Sequence, residues 1–470
     1  MEAESLLREI TDYCRRKGVA ESTFGRHAVN DGKFVNRLRE GGRITTTTFE
    51  RVRSFIAADA AAGEGSSRPF LLDSQPGRQP TGTSASLARQ SAPAAGPGDR
   101  NFRFFDNRQK YLMFVNTCSE KGVVAQRVAM ELANIHPRPP AVRVFDAGVG
   151  DGTVLTRVMR AMHNRFPTMP FYIVGKEISL EDVRLALEKM PDRYFEHPST
   201  VLVMTNLYYR EAPWLVPRSV TAATSLVWHE LVLSGSTAHD FEQQITALGP
   251  FLAENWRAHV SPTSGNPVYE RPTVLVIYRE DHRFLLDPII PRRGGAAANY
   301  DLVMASQPYR ARAPLEFKAS KVLTPLAKSL GPGGRLLGIH SHGNDPGLEI
   351  VRGMWPSEDP FQHDRHQILK SVKASLGNTA RHYNFNAYSD ARSLFRYDMH
   401  ALPSEVSATI GTSTLFAAWN AAVYVGQIED ARLESVIGDR RYLDVTSEVL
   451  HKHGGLWFFD ESFIISRHRD

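Results

Sequence analysis

The sequence predicts an α/β fold: a doubly wound, mostly parallel sheet with an antiparallel C-terminal strand, preceded by a small all-α domain. Three observations predict it. From residue 101 onward, short apolar runs alternate with segments of helical periodicity, the order expected of strands joined by crossover helices. A glycine-rich turn, VFDAGVGDGT at residues 144–153, stands between one such run and one such helix. Residues 59–100 break the pattern: they are rich in Ala, Gly, Ser and Pro and cannot bury enough apolar surface to offset chain entropy. They read as a flexible linker between two folded parts.

Composition narrows the class. A chain of 470 residues, 42% hydrophobic and 23% charged, suits a globular protein of more than one domain. No apolar run approaches the ~20 residues of a membrane-crossing helix, and the acidic, amphipathic start MEAESLLREITDY is unlike a secretory or transit signal. Cys14 and Cys118 are the only cysteines, which argues against a disulfide framework and for a reducing, cytoplasmic setting. The net charge of +5 permits nucleic-acid contact without demanding it.

Residues 1–58 read as four short helices. Leu6, Leu7, Ile10 and Tyr13 recur at helical spacing, and Phe24, Ala28 and Val29 mark a second helix. Phe34, Val35 and Leu38 mark a third, and the run Thr45–Thr48 caps a fourth that carries Phe49, Val52, Phe55 and Ile56. Between Arg15 and Arg53 ten basic residues stand against four acids, a local net of 10 − 4 = +6. The succession resembles the repressor-type helix-turn-helix domains. That resemblance implies DNA or RNA contact through residues 15–53, with Lys33, Arg37 and Arg39 on the recognition helix, or association into a homodimer. A basic module that binds protein or only solvates its surface is the competing reading.

In the large part, Val142, Val144 and Phe145 form a strand leading into the glycine turn, and Leu155, Val158, Met159 and Met162 share one face of the helix after it. FYIVG at residues 171–175 gives a second strand ending at Lys176-Glu177. Ser179 with Asp182 caps the next helix, and VLVM at 201–204 gives a third strand ending at Asn206. A dinucleotide would set its pyrophosphate on the turn, where Asp146 and Asp151 would oppose it. S-adenosyl-L-methionine has no phosphate and carries a sulfonium and an ammonium, which acids attract. Glu177 suits either ligand, as an acceptor for ribose hydroxyls.

VFDAGVGDGT followed by IVGKEIS resembles the first two motifs of class I S-adenosylmethionine-dependent methyltransferases, enzymes of Rossmann-like fold. The resemblance implies that Asp146, Gly148 and Gly150 line the methionine end of the donor, with Asp151 beside them. It further implies that Glu177 holds the ribose and that Asn206, where the family often has an acid, lies beside the adenine. In this family the substrate-facing residues follow the fourth strand, and two segments compete for that place. TSLVWHELVLSG offers His229 and Glu230 as a substrate base beside Trp228, or as a structural pair at a strand end. NYDLVMASQPYRA offers Ser306-Gln307-Pro308-Tyr309, which resembles the polar-Pro-Pro-aromatic motif of nucleic-acid amino-methyltransferases with Gln307 in place of a proline. The catalytic candidates are therefore His229, Glu230 and Tyr309. PGGRLLGI at 332–339 resembles the turn into the family's fifth strand, GGLWFFDESFIISR its closing antiparallel strand, and residues of about 280–400 are expected to form an inserted or extended substrate region. His340 and His342 have metal-compatible spacing but no third ligand at a recognisable distance, so no metal is assigned. The expected function is methyl transfer to an unidentified acceptor, with a small molecule favoured. The alternatives are a helix-turn-helix regulator that senses S-adenosylmethionine without turnover and a nucleic-acid amino-methyltransferase. A nicotinamide oxidoreductase is disfavoured by the acids at the turn.

Overall fold

The computed structural model describes residues 2–56 apart from 18, 30, 32–33, 40–47, 50–51 and 54, and residues 108–469 apart from 262–265, 402–405 and 407–409. The linker expected at 59–100 lies outside the described residues, as do residues 45–47 of the cap expected at Thr45–Thr48. The chain divides into two compact units, residues 1–93 and 94–470.

In the first unit α1 (Glu2–Lys17), α2 (Glu21–Val29) and α3 (Phe34–Arg39) surround Leu6, Ile10, Phe24, Phe34, Val35, Leu38 and Val52. Tyr13, Phe24 and Phe55 meet edge to face with centroids 5.3, 5.6 and 6.0 Å apart, the favourable arrangement for aromatic quadrupoles. Three basic side chains of the predicted nucleic-acid face are engaged by acids of the same unit: Arg37 by Asp31 at 2.6 Å, Arg39 by Glu21 at 2.8 Å and Arg53 by Glu9 at 2.7 Å.

The second unit is built on a ten-stranded sheet. Its parallel centre is formed by β1 (Val142–Asp146), β2 (Phe171–Lys176) and β3 (Thr200–Thr205), with β8 (Tyr300–Ser306) and β9 (Leu330–Ser341) on the other side of β1. Every residue of β2 and β3 is buried, because helices cover both faces of a parallel sheet. The long strand β12 (Trp457–Arg467) runs antiparallel between β9 and β10 (Tyr383–Asn386) and also pairs with β11 (Leu394–Asp398). On one face Val144, Leu302, Leu337 and Ile464 pack under α5 (Glu120–Glu131) and α6 (Thr153–Arg165), a segment earlier than which α4 (Arg108–Thr117) joins the unit. On the other face Phe145, Val303, Leu336 and Phe463 pack against Ile368, Leu369 and Val372 of the helix Arg365–Leu376.

The structure decides between the two candidates for the fourth parallel strand. It is β8, whose Val144↔Leu302, Phe145↔Val303 and Asp146↔Met304 pairs place it directly beside β1. The competing segment forms β4 (Val227–Leu233), which pairs only with β7 (Thr273–Arg279) at the far edge of the sheet. Because β7 runs antiparallel to β3, the β4–β7 pair extends the sheet outward and cannot continue its parallel winding. One insertion therefore lies between β3 and β8, in residues 206–299, and overlaps the expected region of about 280–400 at its start. It also holds a small hairpin, β5 (Ala258–Val260) and β6 (Pro267–Tyr269). No described helix is long and apolar enough to cross a membrane.

Gly175, in the middle of this packing, ties the sheet to the glycine turn. A Cβ there would stand 2.6 Å from Cγ2 of Val149 and 3.0 Å from Sδ of Met204. Gly175→Ala should lower the unfolding free energy of the full chain by about 1–3 kcal/mol in denaturant titration.

Candidate functional site

The parallel strands wind outward in both directions from between β1 and β8, and a crevice opens there at their C-terminal ends. The glycine turn occupies it. Gly150 and Gly152 have φ of +53° and +80°, and at Gly152 a Cβ would come within 2.7 Å of Cα of Ala186, so the turn admits only glycine there.

A complete account of the turn's backbone N–H groups is informative. Ala147 donates to the Met304 carbonyl at 2.9 Å, Gly148 to Oδ1 of Asp146 at 3.1 Å and Val149 to the Lys176 carbonyl at 3.1 Å. Gly150 donates to Oε2 of Glu177 at 2.8 Å, Asp151 to the Tyr111 hydroxyl at 3.3 Å, Gly152 to the Val149 carbonyl at 3.1 Å and Thr153 to Oδ1 of Asp151 at 3.3 Å. Each N–H from Ala147 to Thr153 thus has a partner within the protein, and three of those partners are carboxylates.

The acids differ in state. Burial raises the Asp146 carboxyl to about 7, against the opposing pull of the Gly148 N–H, and Glu177 adds to the rise. Burial would raise Asp151 too, but hydrogen bonds from Lys189 and Thr153 outweigh it and hold the group below the usual carboxylate range. Lys189 Nζ lies 2.7 Å from Oδ2 of Asp151, so this predicted donor contact is committed to an ion pair at the start of α6. Glu177 also accepts from its own chain, the N–H of Ile178 at 2.7 Å and of Ser179 at 2.9 Å.

Beside Glu177 is a cavity of about 460 Å³, walled by Tyr111, Trp256 and the β5–β6 hairpin and floored by the start of α7 (Leu180–Glu188). Trp256 fixes that wall by donating its indole N–H to the Glu177 carbonyl at 2.9 Å. Asp182, on the floor, is raised to about 7 by burial and by the charge of Glu177. Asn206 does not face this cavity. Its amide donates to the Arg271 carbonyl at 2.8 Å and accepts the Thr273 N–H at 2.8 Å, so it clamps the end of β3 to the start of β7. The expected adenine contact is corrected on that ground.

The catalytic candidates also separate. His229 and Glu230 lie on β4, with β7, β3 and β2 between them and β1. There His229 stacks on Phe251 at 4.5 Å, and Glu230 accepts from the Tyr278 hydroxyl at 3.3 Å. An edge position removes them from the crevice, and they are not brought together with Asp146. Tyr309 does follow the fourth strand, but it is buried: its hydroxyl is 3.4 Å from Nδ1 of His340, and Lys318 covers its ring at 5.2 Å. It shows no open face on which a base could stack. His340 in turn meets Oε1 of Glu461 at 2.7 Å, and among the described residues no three His, Cys, Asp or Glu side chains are placed to hold a metal ion.

Residues that sequence reasoning passed over complete the crevice. Tyr111 arrives from α4. Lys121, on α5, lies over the Tyr111 ring at 5.5 Å and 3.4 Å from Oε2 of Glu120. Burial would lower its ammonium, but Glu120 and further acidic groups, Asp151 among them, hold it well above the usual range. Gln307, already named in the sequence motif, has φ of +47° and follows β8, where its amide donates to Oγ of Ser341 at 3.0 Å and Oδ1 of Asp460 at 3.3 Å. The polar pair Asp460-Glu461 inside the otherwise apolar run LWFFDESFIIS was the sequence signal for a third group.

Strand order and turn define a Rossmann-like, doubly wound domain with a crevice at the switch point. No family model matches the sequence, and no curated protein does. Solved structures similar in layout include a putative sarcosine dimethylglycine methyltransferase from Galdieria sulphuraria, 8% identical over 74% of this chain and 86% of that one, with a TM-score of 0.30. A loganic acid methyltransferase with SAH is 7% identical over 80% and 98%, TM-score 0.30. A geranyl diphosphate methyltransferase in complex with GPP and sinefungin is 10% identical over 73% and 78%, TM-score 0.28. At such scores the likenesses say nothing of this chain's chemistry, which rests on its own residues.

Two outcomes test the assignments made from geometry. Asn206→Ala should cost about 1–3 kcal/mol of stability, since it strands the buried Thr273 N–H and Arg271 carbonyl, read as a lower denaturation midpoint. A carboxyl held above its unfolded value of about 4 stabilises the fold below that pH and withdraws the stabilisation as pH climbs through its folded value. With Asp146 at about 7, Asp146→Asn should match wild type near pH 4 and exceed its thermal midpoint at pH 8.

Proposed function

We propose that residues 101–470 form an S-adenosyl-L-methionine-dependent methyltransferase, with residues 1–58 as an adaptor for nucleic acid or self-association. The observation that carries this reading is the satisfied turn. A phosphate-binding turn offers free N–H groups to an anion. Here Asp146, Glu177 and Asp151 already accept three of them, and the others are bonded within the protein. The surface left for a ligand is carboxylate, which suits a cation.

The residues fit the donor in named roles. Asp146 faces the ammonium and sulfonium end, and a cation there draws the proton from its raised carboxyl. Glu177, at the mouth of the cavity, accepts the ribose hydroxyls, and Tyr111 and Trp256 wall the adenosine. Lys121 takes the methionine carboxylate. Bound donor supplies an electrophilic methyl group. The end of β8 beside Gly148, where the backbone carbonyl of Ser306 lies 4.0 Å from the Cβ position of that glycine, is where an acceptor would approach.

Calorimetric titration of the full chain with S-adenosylmethionine, its demethylated product and NAD tests the reading. Binding of the first two and not of NAD is expected, with affinity rising between pH 6 and pH 8 as Asp146 ionises and losing that slope in Asp146→Asn. Glu177→Gln should weaken binding by about tenfold or more, equivalent to ~1.4 kcal/mol. NAD binding without donor binding would sink the proposal.

A further inference from the structure

The cavity beside Glu177 has two aromatic walls whose polar atoms are already engaged. Trp256 gives its indole N–H to the Glu177 carbonyl at 2.9 Å, and the Tyr111 hydroxyl accepts the Asp151 N–H at 3.3 Å. What these walls offer a ligand is flat π surface, which suits the faces of a heteroaromatic base. The edge of such a base has to be read by the polar side chains of the lining, three of which are acids: Glu181, Asp182 and Glu270. Arg257, also in the lining, turns its Nε back to the Ala253 carbonyl at 3.2 Å.

Asp182 is set apart from the other two acids. Glu270 is exposed, and Glu181 pairs with Arg184 at 4.0 Å. Asp182 is half-buried at the third position of α7, where an acid ordinarily reaches back to the N–H of the capping residue. That N–H, of Ser179, already goes to Oε1 of Glu177 at 2.9 Å. The capping exchange is therefore one-sided. Ser179 Oγ accepts the Asp182 N–H at 3.2 Å, while the Asp182 carboxyl keeps acceptor capacity toward the cavity. The Ser179 hydroxyl is its hydrogen-bond partner, and among the described residues no cation is ion-paired with it. Asn206 offers the base nothing, because its amide is bonded to Arg271, Asn255 and Thr273.

We propose that Asp182 accepts the 6-amino group of the donor's adenine and so makes the cavity selective for an aminopurine. The inference rests on the methyl-donor reading for the identity of the ligand, and it names the residue that reads the base. A carboxyl group keeps an acceptor oxygen in either protonation state, so an N–H of the amine finds a partner in both. A purine with hydrogen at position 6 brings no such donor and leaves a half-buried acceptor without its bond.

The experiment titrates the full chain calorimetrically with adenosine, with purine riboside, which lacks the amino group, and with S-adenosylhomocysteine. Wild type should bind adenosine about tenfold or more tighter than purine riboside. Asp182→Ala should remove that preference by weakening adenosine alone, whereas a merely structural role would weaken both nucleosides together. Asp182→Asn should restore the preference, since the amide oxygen also accepts. If the alanine variant fails to fold, Asp182→Leu, which keeps a branched side chain without an acceptor, takes its place. Equal affinity for the two nucleosides in wild type, binding of neither at millimolar concentration, a preference that survives in Asp182→Ala, or parallel loss of both would overturn the inference. If adenosine is preferred through Asp182 while S-adenosylhomocysteine does not bind, the aminopurine site stands and the donor reading falls. If S-adenosylhomocysteine binds and the preference for adenosine is absent, only the role of Asp182 falls.

Discussion

The rest of the site depends on the saturation of one turn by carboxylates. A strand-to-helix turn rich in glycine exposes a nest of N–H groups, and in isolation it attracts anions. Asp146 and Glu177 fill that nest from the ends of two adjacent strands, and Asp151 fills the helix start. The electrostatic sense of the crevice is thereby reversed, although the backbone shape is retained. Burial then raises the Asp146 carboxyl to about 7.

Acid saturation has a structural cost that other residues offset. Asp151 is neutralised by Lys189, and Lys121 brings a cation into the space in front of the turn. Both lysines come from helices that flank α6, so the charge balance is set by helix packing as much as by the turn. Glu177 is further fixed by N–H groups of Ile178 and Ser179, so one carboxylate braces both the turn and the chain that leads into the cavity wall.

Much of the fold was legible because it is local. Strand, turn, helix and capped helix follow in sequence from Val142 to Met190, and each is specified by neighbours a few residues away. The choice between β4 and β8 was not, since a strand's place in a parallel sheet is a long-range matter. A signal was present all the same. LVMA, residues 302–305, is apolar throughout, as a strand covered on both faces must be, whereas LVWHELVL breaks its run with His229 and Glu230, as an open edge permits. Asn206 escaped for a related reason: its partners, Arg271 and Thr273, belong to an insertion whose path no local pattern revealed. Tyr111 and Lys121 come from helices that precede β1, and only tertiary packing brings them to Asp151 of the turn.

The interior position of β12 has a consequence for the order in which the protein becomes competent. Of the twelve strands among the described residues it comes last in sequence, yet it sits between β9 and β10 and bridges them by hydrogen bonds. A chain emerging during synthesis can assemble the glycine turn and its carboxylates early, as domains fold from the N-terminal side. It then carries a gap in the sheet until residues 457–467 arrive, and the polar face containing Asp460 does not exist before that moment. The glycine turn and the polar face at Asp460 are thus completed at different times, the second closing only when the sheet itself closes.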